Sequence, residues 1–133
     1  MIVFLDANVV IYLVEQTALW GPKASARYAA LLAAGDEPAV SDLVRMECRV
    51  GPLKTGNAIV LNDFAAFFAS PDVHVFPITT AVCDRASAIR AAYGFKPLDA
   101  LHLAAAMENR CGLFLTNDTR LNRFTSIPIE VLT

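Results

Sequence analysis

Residues 1–15 read MIVFLDANVVIYLVE, and the sixth position governs how the rest is understood. Met1 to Leu5 is an unbroken apolar run, of the length and character that suit a strand buried on both faces. Asp6 ends it, and Asn8 follows after one intervening residue. An ionisable carboxylate at the end of a core strand has two uses. It can cap the next helix by accepting a backbone N–H, or it can open a polar site beyond the strand.

Moving outward, short apolar strands alternate with helical segments. A helical piece runs from about Asn8 to Gln16, and Gly21-Pro22 marks a loop. Lys23 to Ala34 is rich in Ala and Leu and closes on Gly35, which predicts a helix with a C-terminal glycine. Pro38 to Val40 predicts a second strand. Ser41 and Asp42 supply an N-cap and a first-turn acid for a helix through Val50 that stops at Gly51-Pro52. Asn57 to Phe68 predicts another helix. Val73 to Phe76, bounded by prolines, predicts a third strand. Thr79 or Thr80 caps a helix whose apolar face is Val82, Ala86, Ile89 and Tyr93, at helical spacing. Pro97 suits the first turn of a helix to about Asn109. Leu113 to Leu115 predicts a fourth strand, Asp118 to Arg123 a short helix, and Ile129 to Leu132 a fifth strand. This alternation predicts a three-layer α/β/α sandwich around a mostly parallel, roughly five-stranded sheet. Ligands in such folds bind beyond the carboxyl ends of the strands.

The 133 residues suit one domain with one core, spanning residues 1–133. Hydrophobic residues make up 56% and charged residues 18%, more apolar than a soluble surface requires. No apolar stretch is long enough to span a bilayer, and no basic-then-apolar leader precedes the first strand. The surplus therefore predicts covered surface in an oligomer. The net charge of −2 argues against strong non-specific binding to nucleic acid, which needs many cations facing the phosphates. Cys48, Cys83 and Cys111 form no CxxC pair and no zinc spacing; they are expected to be small buried hydrophobes in a reducing cytoplasm.

Three further acids join Asp6. Asp118 follows the fourth strand, Asp99 lies in the first turn of a helix, and Glu47 lies in the helix leaving the second strand. Each alone has a plain explanation: Asp6 and Asp118 as caps, Asp99 as a complement to a helix dipole, Glu47 as a solvated helix residue. Together, in a parallel sheet, they converge on one rim. Clustered carboxylates repel one another and are tolerated when a cation neutralises them. Hard oxygen ligands suit Mg²⁺, or Mn²⁺, and such an ion serves phosphodiester hydrolysis by activating water and offsetting charge on the leaving oxygen. Gly51 to Gly56 has the outer glycine spacing of a phosphate loop, but Asn57-Ala58 stands where Lys and Ser/Thr are needed.

Asp6 with Asn8, Glu47, Asp99 with His102-Leu103-Ala104, and Thr116-Asn117-Asp118 together resemble the PIN-domain ribonucleases, and the nearest likeness is to VapC-type toxins of bacterial toxin–antitoxin pairs. The stretch from Glu47 to Lys54 is similar to the segment around that family's glutamate. The resemblance implies a metal-dependent endoribonuclease. Asp6 and Asp99 would be the principal metal ligands, and Glu47 and Asp118 would complete the pocket. Asn8, Thr116 and Asn117 would orient carboxylates or water. His102 reads as a structural hydrogen-bonding residue. Arg45, Arg49, Lys96 and Arg120, near the acids in sequence, are candidates to hold RNA phosphates. The resemblance also implies a VapB-type antitoxin that covers the pocket, with a groove expected beside residues 9–13 and the Ala-rich helix, and a homodimer.

Two rival readings are a phosphotransfer fold and a non-catalytic interaction module. A haloacid-dehalogenase-like phosphatase needs an acid where Asn8 stands. A response-regulator receiver needs an acid ending the third strand, and Val73 to Pro77 carries none. The interaction module leaves Glu47 beside three aspartates unexplained.

Overall fold

The computed structural model describes residues 1–133. Five strands, β1 (Ile2–Leu5), β2 (Glu37–Ser41), β3 (His74–Phe76), β4 (Leu113–Thr116) and β5 (Ile129–Val131), form one sheet in the order β3-β2-β1-β4-β5. Every pairing is parallel, with Phe4 beside Phe114 and Leu5 beside Leu115. Val3, Phe4 and Leu5 are wholly buried, as a central parallel strand covered on both faces requires. The stacked rings of Phe4 and Phe114, 5.3 Å apart, sit at the middle of the core. Truncating either to Ala would cost about 3–5 kcal/mol.

Six α-helices connect the strands: α1 (Ala7–Glu15), α2 (Trp20–Ala33), α3 (Asp42–Thr55), α4 (Ala58–Ala69), α5 (Thr80–Tyr93) and α6 (Pro97–Glu108). A short 3₁₀ helix, Thr119–Arg123, joins β4 to β5. From β1 the chain steps outward to β2 and β3, then crosses back to β4 and β5 on the other side of β1. Right-handed crossovers put the helices of the two directions on opposite faces. Accordingly, α1 and α2 pack together with α3 and α4, while α5 and α6 pack as a pair that meets the others through α3 and α6. The three-layer parallel architecture expected from the sequence is the one observed. The strand order reverses between β1 and β4, so the crevice outside their carboxyl ends is the switch point where such sheets hold ligands.

Two punctuation signals behave differently from expectation. Gly21 and Pro22 do not form a loop; they occupy the first turn of α2, where a proline costs no hydrogen bond. Gly21 is needed for space, because a Cβ there would lie 2.7 Å from the backbone of Gln16. Gly51-Pro52 does not stop α3 either. The helix continues to Thr55, with Pro52 inside it and buried, and ends at Gly56 in the left-handed conformation. The Thr55 hydroxyl donates to the Gly51 carbonyl at 3.2 Å in that last turn. The segment with phosphate-loop glycine spacing is therefore helix. Cys48 and Cys111 are buried as expected, with burial pushing both thiols up to about 12, but Cys83 is exposed on α5.

Candidate active site

Asp6 lies at the switch point and fills both roles considered for it. It is the N-cap of α1, where its Oδ1 accepts the Ala7 N–H at 2.8 Å. Its Oδ2 accepts from the Thr116 hydroxyl at 2.7 Å, across the crevice at the end of β4. That hydroxyl in turn accepts the Asp118 N–H at 3.0 Å. Thr116 is fully buried, so its oxygen couples the ends of the two strands. A second latch runs beside it: the Asn117 N–H donates to Asn8 Oδ1 at 3.2 Å, and the Asn117 amide donates to the Tyr12 hydroxyl at 3.0 Å. Asn8 thus holds the β4 loop at the position where a phosphatase would need its second acid.

The four acids differ in surroundings, and charge couples Asp6 to Glu47, and Asp99 to Asp6 and Asp118. Asp6 is only 6% exposed. Burial raises its pKa and Glu47 adds to the rise, against the opposing pull of His102, Thr116 and Ala7. Asp99, half-buried in the first turn of α6, is raised by burial and then by the charges of Asp6 and Asp118. Asp118 runs the other way. Both its oxygens take hydrogen bonds from Arg120 at 2.6–3.2 Å, which lowers its pKa. It also caps the 3₁₀ helix by accepting the Arg120 N–H.

Glu47 is not the solvated helix residue that its position in sequence suggested. Its side chain is 29% exposed and is hydrogen-bonded to Nε2 of His102, which is 2% exposed. Burial disfavours the imidazolium, but the bond to Glu47 and the charges of Asp6, Glu47 and Asp99 together raise the His102 pKa. The pair ties α3 to α6. His102 makes a buried hydrogen bond of the kind expected from the sequence. Its neighbour on the sheet side is Phe4, with ring centroids 6.2 Å apart.

The donor chemistry suits a hard divalent cation. Asp99 makes no side-chain hydrogen bond, and burial, then the neighbouring carboxylates, hold its pKa up; a cation would offset the repulsion and give its oxygens a partner. No three Asp, Glu, His or Cys side chains stand close enough to enclose an ion by themselves. The four acids read from the sequence as metal ligands are therefore not gathered into one such group.

The basic candidates divide. Lys96 precedes α6, and its charge acts on Asp118; Arg120 grips Asp118 directly. Arg45 and Arg49 line a groove with Met46, Val50 and Leu53 on a face of α3 that does not carry Glu47. Two residues escaped the sequence reading. Tyr12 completes the Asn117 latch. Arg123 lines a recess with Lys96, Asp99 and Arg120. In a 3₁₀ helix, residues three apart fall on one side, so Arg123 would have been legible had Thr119–Arg123 been read as that kind of helix. Val9 and Val10, expected to border a partner groove, are core residues.

No curated protein matches the chain by sequence. Among solved structures, VapBC2 from Rickettsia felis bound to a promoter DNA fragment superposes with a TM-score of 0.83 over 100% of both chains, at 16% identity. A toxin–antitoxin complex from Klebsiella pneumoniae gives a TM-score of 0.71 at 25% identity, covering 97% of this chain and 96% of that one. VapC20 of Mycobacterium tuberculosis, described as a sarcin–ricin loop cleaving toxin, gives 0.69 at 16% identity, covering 93% and 90%. The PIN domain family model matches residues 3–126. That span runs from the first strand past the 3₁₀ helix and takes in all four acids of the rim: the chain belongs to the PIN domain family.

Proposed function

We propose that this chain is a metal-dependent endoribonuclease, using Mg²⁺ or Mn²⁺, and acts as the toxin of a toxin–antitoxin pair. The observation that carries the reading is the pairing of Asp6 and Asp99 at the β1/β4 switch point of a PIN domain, both with raised pKa values. The likeness to toxin–antitoxin structures supports the biological role.

Asp6 and Asp99 would hold the cation, which would supply activation of the attacking water and offset charge on the leaving oxygen. Thr116 and the Ala7 N–H fix the Asp6 carboxylate in one orientation, so it needs no reordering when substrate arrives. The His102–Glu47 pair keeps α6, which carries Asp99, against α3. Arg120 occupies both oxygens of Asp118, so Asp118 joins the pocket only when Arg120 turns away. Asp6 and Asp99 are not ion-paired to an arginine and are the principal pair.

Exposed apolar side chains on α3 (Met46, Val50, Leu53) and on α4 (Ile59) support a protein-covered surface, for a VapB-type antitoxin and a second copy of the chain. No helix is long and apolar enough to cross a membrane. The test is controlled expression in a bacterial host, with growth and the ends of cleaved RNA as readouts. The wild type is expected to arrest growth and create new RNA ends, and Asp6→Asn and Asp99→Asn are expected to abolish both. Arrest that survives both substitutions overturns the mechanism.

A further inference from the structure

The chain carries a net negative charge and only 11 lysines and arginines, yet three of them line one recess of about 170 Å³. Lys96, Arg120 and Arg123 surround it, and Asp99 opens onto the same space. Their partners differ. Arg120 is spent on Asp118. Lys96 and Arg123 form no ion pair, although acids stand near. Arg123 is held in place without being neutralised: its guanidinium packs over the Phe95 ring at 4.3 Å and donates to the Tyr93 carbonyl. Phe95 is buried and stacked on Tyr93, so this platform is rigid. The recess also faces the start of α6, where Lys96 offers no side-chain cap and the helix dipole presents its positive end.

We infer that this recess is a subsite for a backbone phosphate of the RNA strand, adjacent to the phosphate undergoing cleavage, with Lys96 and Arg123 as its ligands. Unpaired cations facing an acidic pocket repay their cost by holding an anion that the acids alone would repel. The arrangement also answers how an acidic protein binds RNA: it gathers cations locally instead of spreading them over a face. Contact is with the backbone, so it adds affinity without sequence preference. The inference rests on the ribonuclease reading.

The test uses fluorescence anisotropy with a fluorescein-labelled single-stranded RNA, in an Asp6→Asn background that binds without cleaving. Lys96→Ala and Arg123→Ala are each expected to weaken binding about threefold to tenfold, equally for RNAs of different sequence. Each should also flatten the slope of log K against log salt by about 0.7. Lys96→Glu, at an exposed position, should weaken binding more than Lys96→Ala; Arg123→Lys, which keeps the charge, should weaken it less than Arg123→Ala. Lys54→Ala, at the far end of α3, is the control and should bind as the parent does. If wild-type protein cleaves RNA while the Lys96 and Arg123 variants match the parent in affinity and salt slope, the subsite is overturned and the ribonuclease reading stands. If those variants lose an acidic protein partner instead of RNA, the subsite is likewise overturned. If the wild type neither cleaves nor binds RNA, both readings fall.

Discussion

Asp6 is enclosed, capped onto α1 and bonded to Thr116, whereas Asp99, in the first turn of α6, is half-open and carries no side-chain hydrogen bond. The two belong to differently built regions. The β1/β4 side is locked by buried polar contacts: Thr116 bridges Asp6 to the Asp118 backbone, and Asn117 is pinned by Asn8 and Tyr12. The α6 side is electrostatic, with Asp99, Asp118, Arg120, Lys96 and Arg123 facing one another across accessible space. One region is set before any ligand arrives. The other has charges left to satisfy, which is where a cation and a phosphate would act.

The strongest way to break this comparison is to neutralise each acid in turn. Asp6→Asn and Asp99→Asn should each lower RNA cleavage by about a hundredfold or more, since each removes a principal ligand of the ion that drives the chemistry. Their effects on stability should differ. Asp6→Asn should raise the Tm of metal-free protein, because burial is the largest influence on that carboxylate and opposes its ionisation. Asp99→Asn, half-exposed, should change Tm less. Thermal unfolding in a chelator reads both.

Glu47→Gln tests the support beneath the rim. It leaves a buried imidazole without its charged partner and should cost about 1–3 kcal/mol, measured by urea unfolding. Thr116→Val tests the lock itself. It strips a hydrogen bond from Asp6 and leaves the Asp118 N–H unpaired, at a cost of about 1–3 kcal/mol. Cation affinity, read by calorimetric titration, should fall about tenfold, because Asp6 is no longer held in orientation.

Proton linkage sharpens the same contrast. Asp6 and Asp99 both keep their protons to higher pH in the fold than the ordinary carboxylate value of 3.8. Without metal, their contribution favours the folded state at low pH and is lost as pH rises from that value through their raised folded values. His102, raised above 6.5, adds in the same direction: its stabilisation is complete below 6.5 and lost as pH rises through its folded value. A bound cation favours the ionised carboxylates, so the gain in Tm on adding Mg²⁺ should grow with pH. A gain that shrinks with rising pH would contradict the proposed ligands. The smallest effect is expected at Arg120→Ala. The ion pair with Asp118 is on the surface, so Tm should not change measurably, while the Asp118 pKa, followed by NMR, should rise toward its ordinary value once its arginine is gone.

The strands and most helices were legible because parallel strands buried on both faces must be apolar along their length, and their ends are marked by polar residues. Asp6, Ser41 and Thr79 were readable as caps for the same reason, and each accepts a backbone N–H at a helix start. Gly21 and Pro52 were misread because local rules treat glycine and proline as breaks. Packing overruled them, through the close approach of Gln16 in one case and burial of the proline ring in the other. Spacing also misled for the cations. Arg45 and Arg49 flank Glu47 in sequence, but a residue two positions away on a helix points elsewhere.

The sequence by itself determined the order of elements and which residue types would stand at strand ends, because hydrophobic periodicity and capping are local. It also placed an acid after each of the strands that meet at the switch point. Only the tertiary structure decided what those acids experience: that Asp6 is desolvated, that Glu47 turns to His102, that Arg120 holds Asp118, and that Lys96 and Arg123 share a recess. These depend on distance through space and exclusion of water, and neither is written in the spacing of residues along a chain.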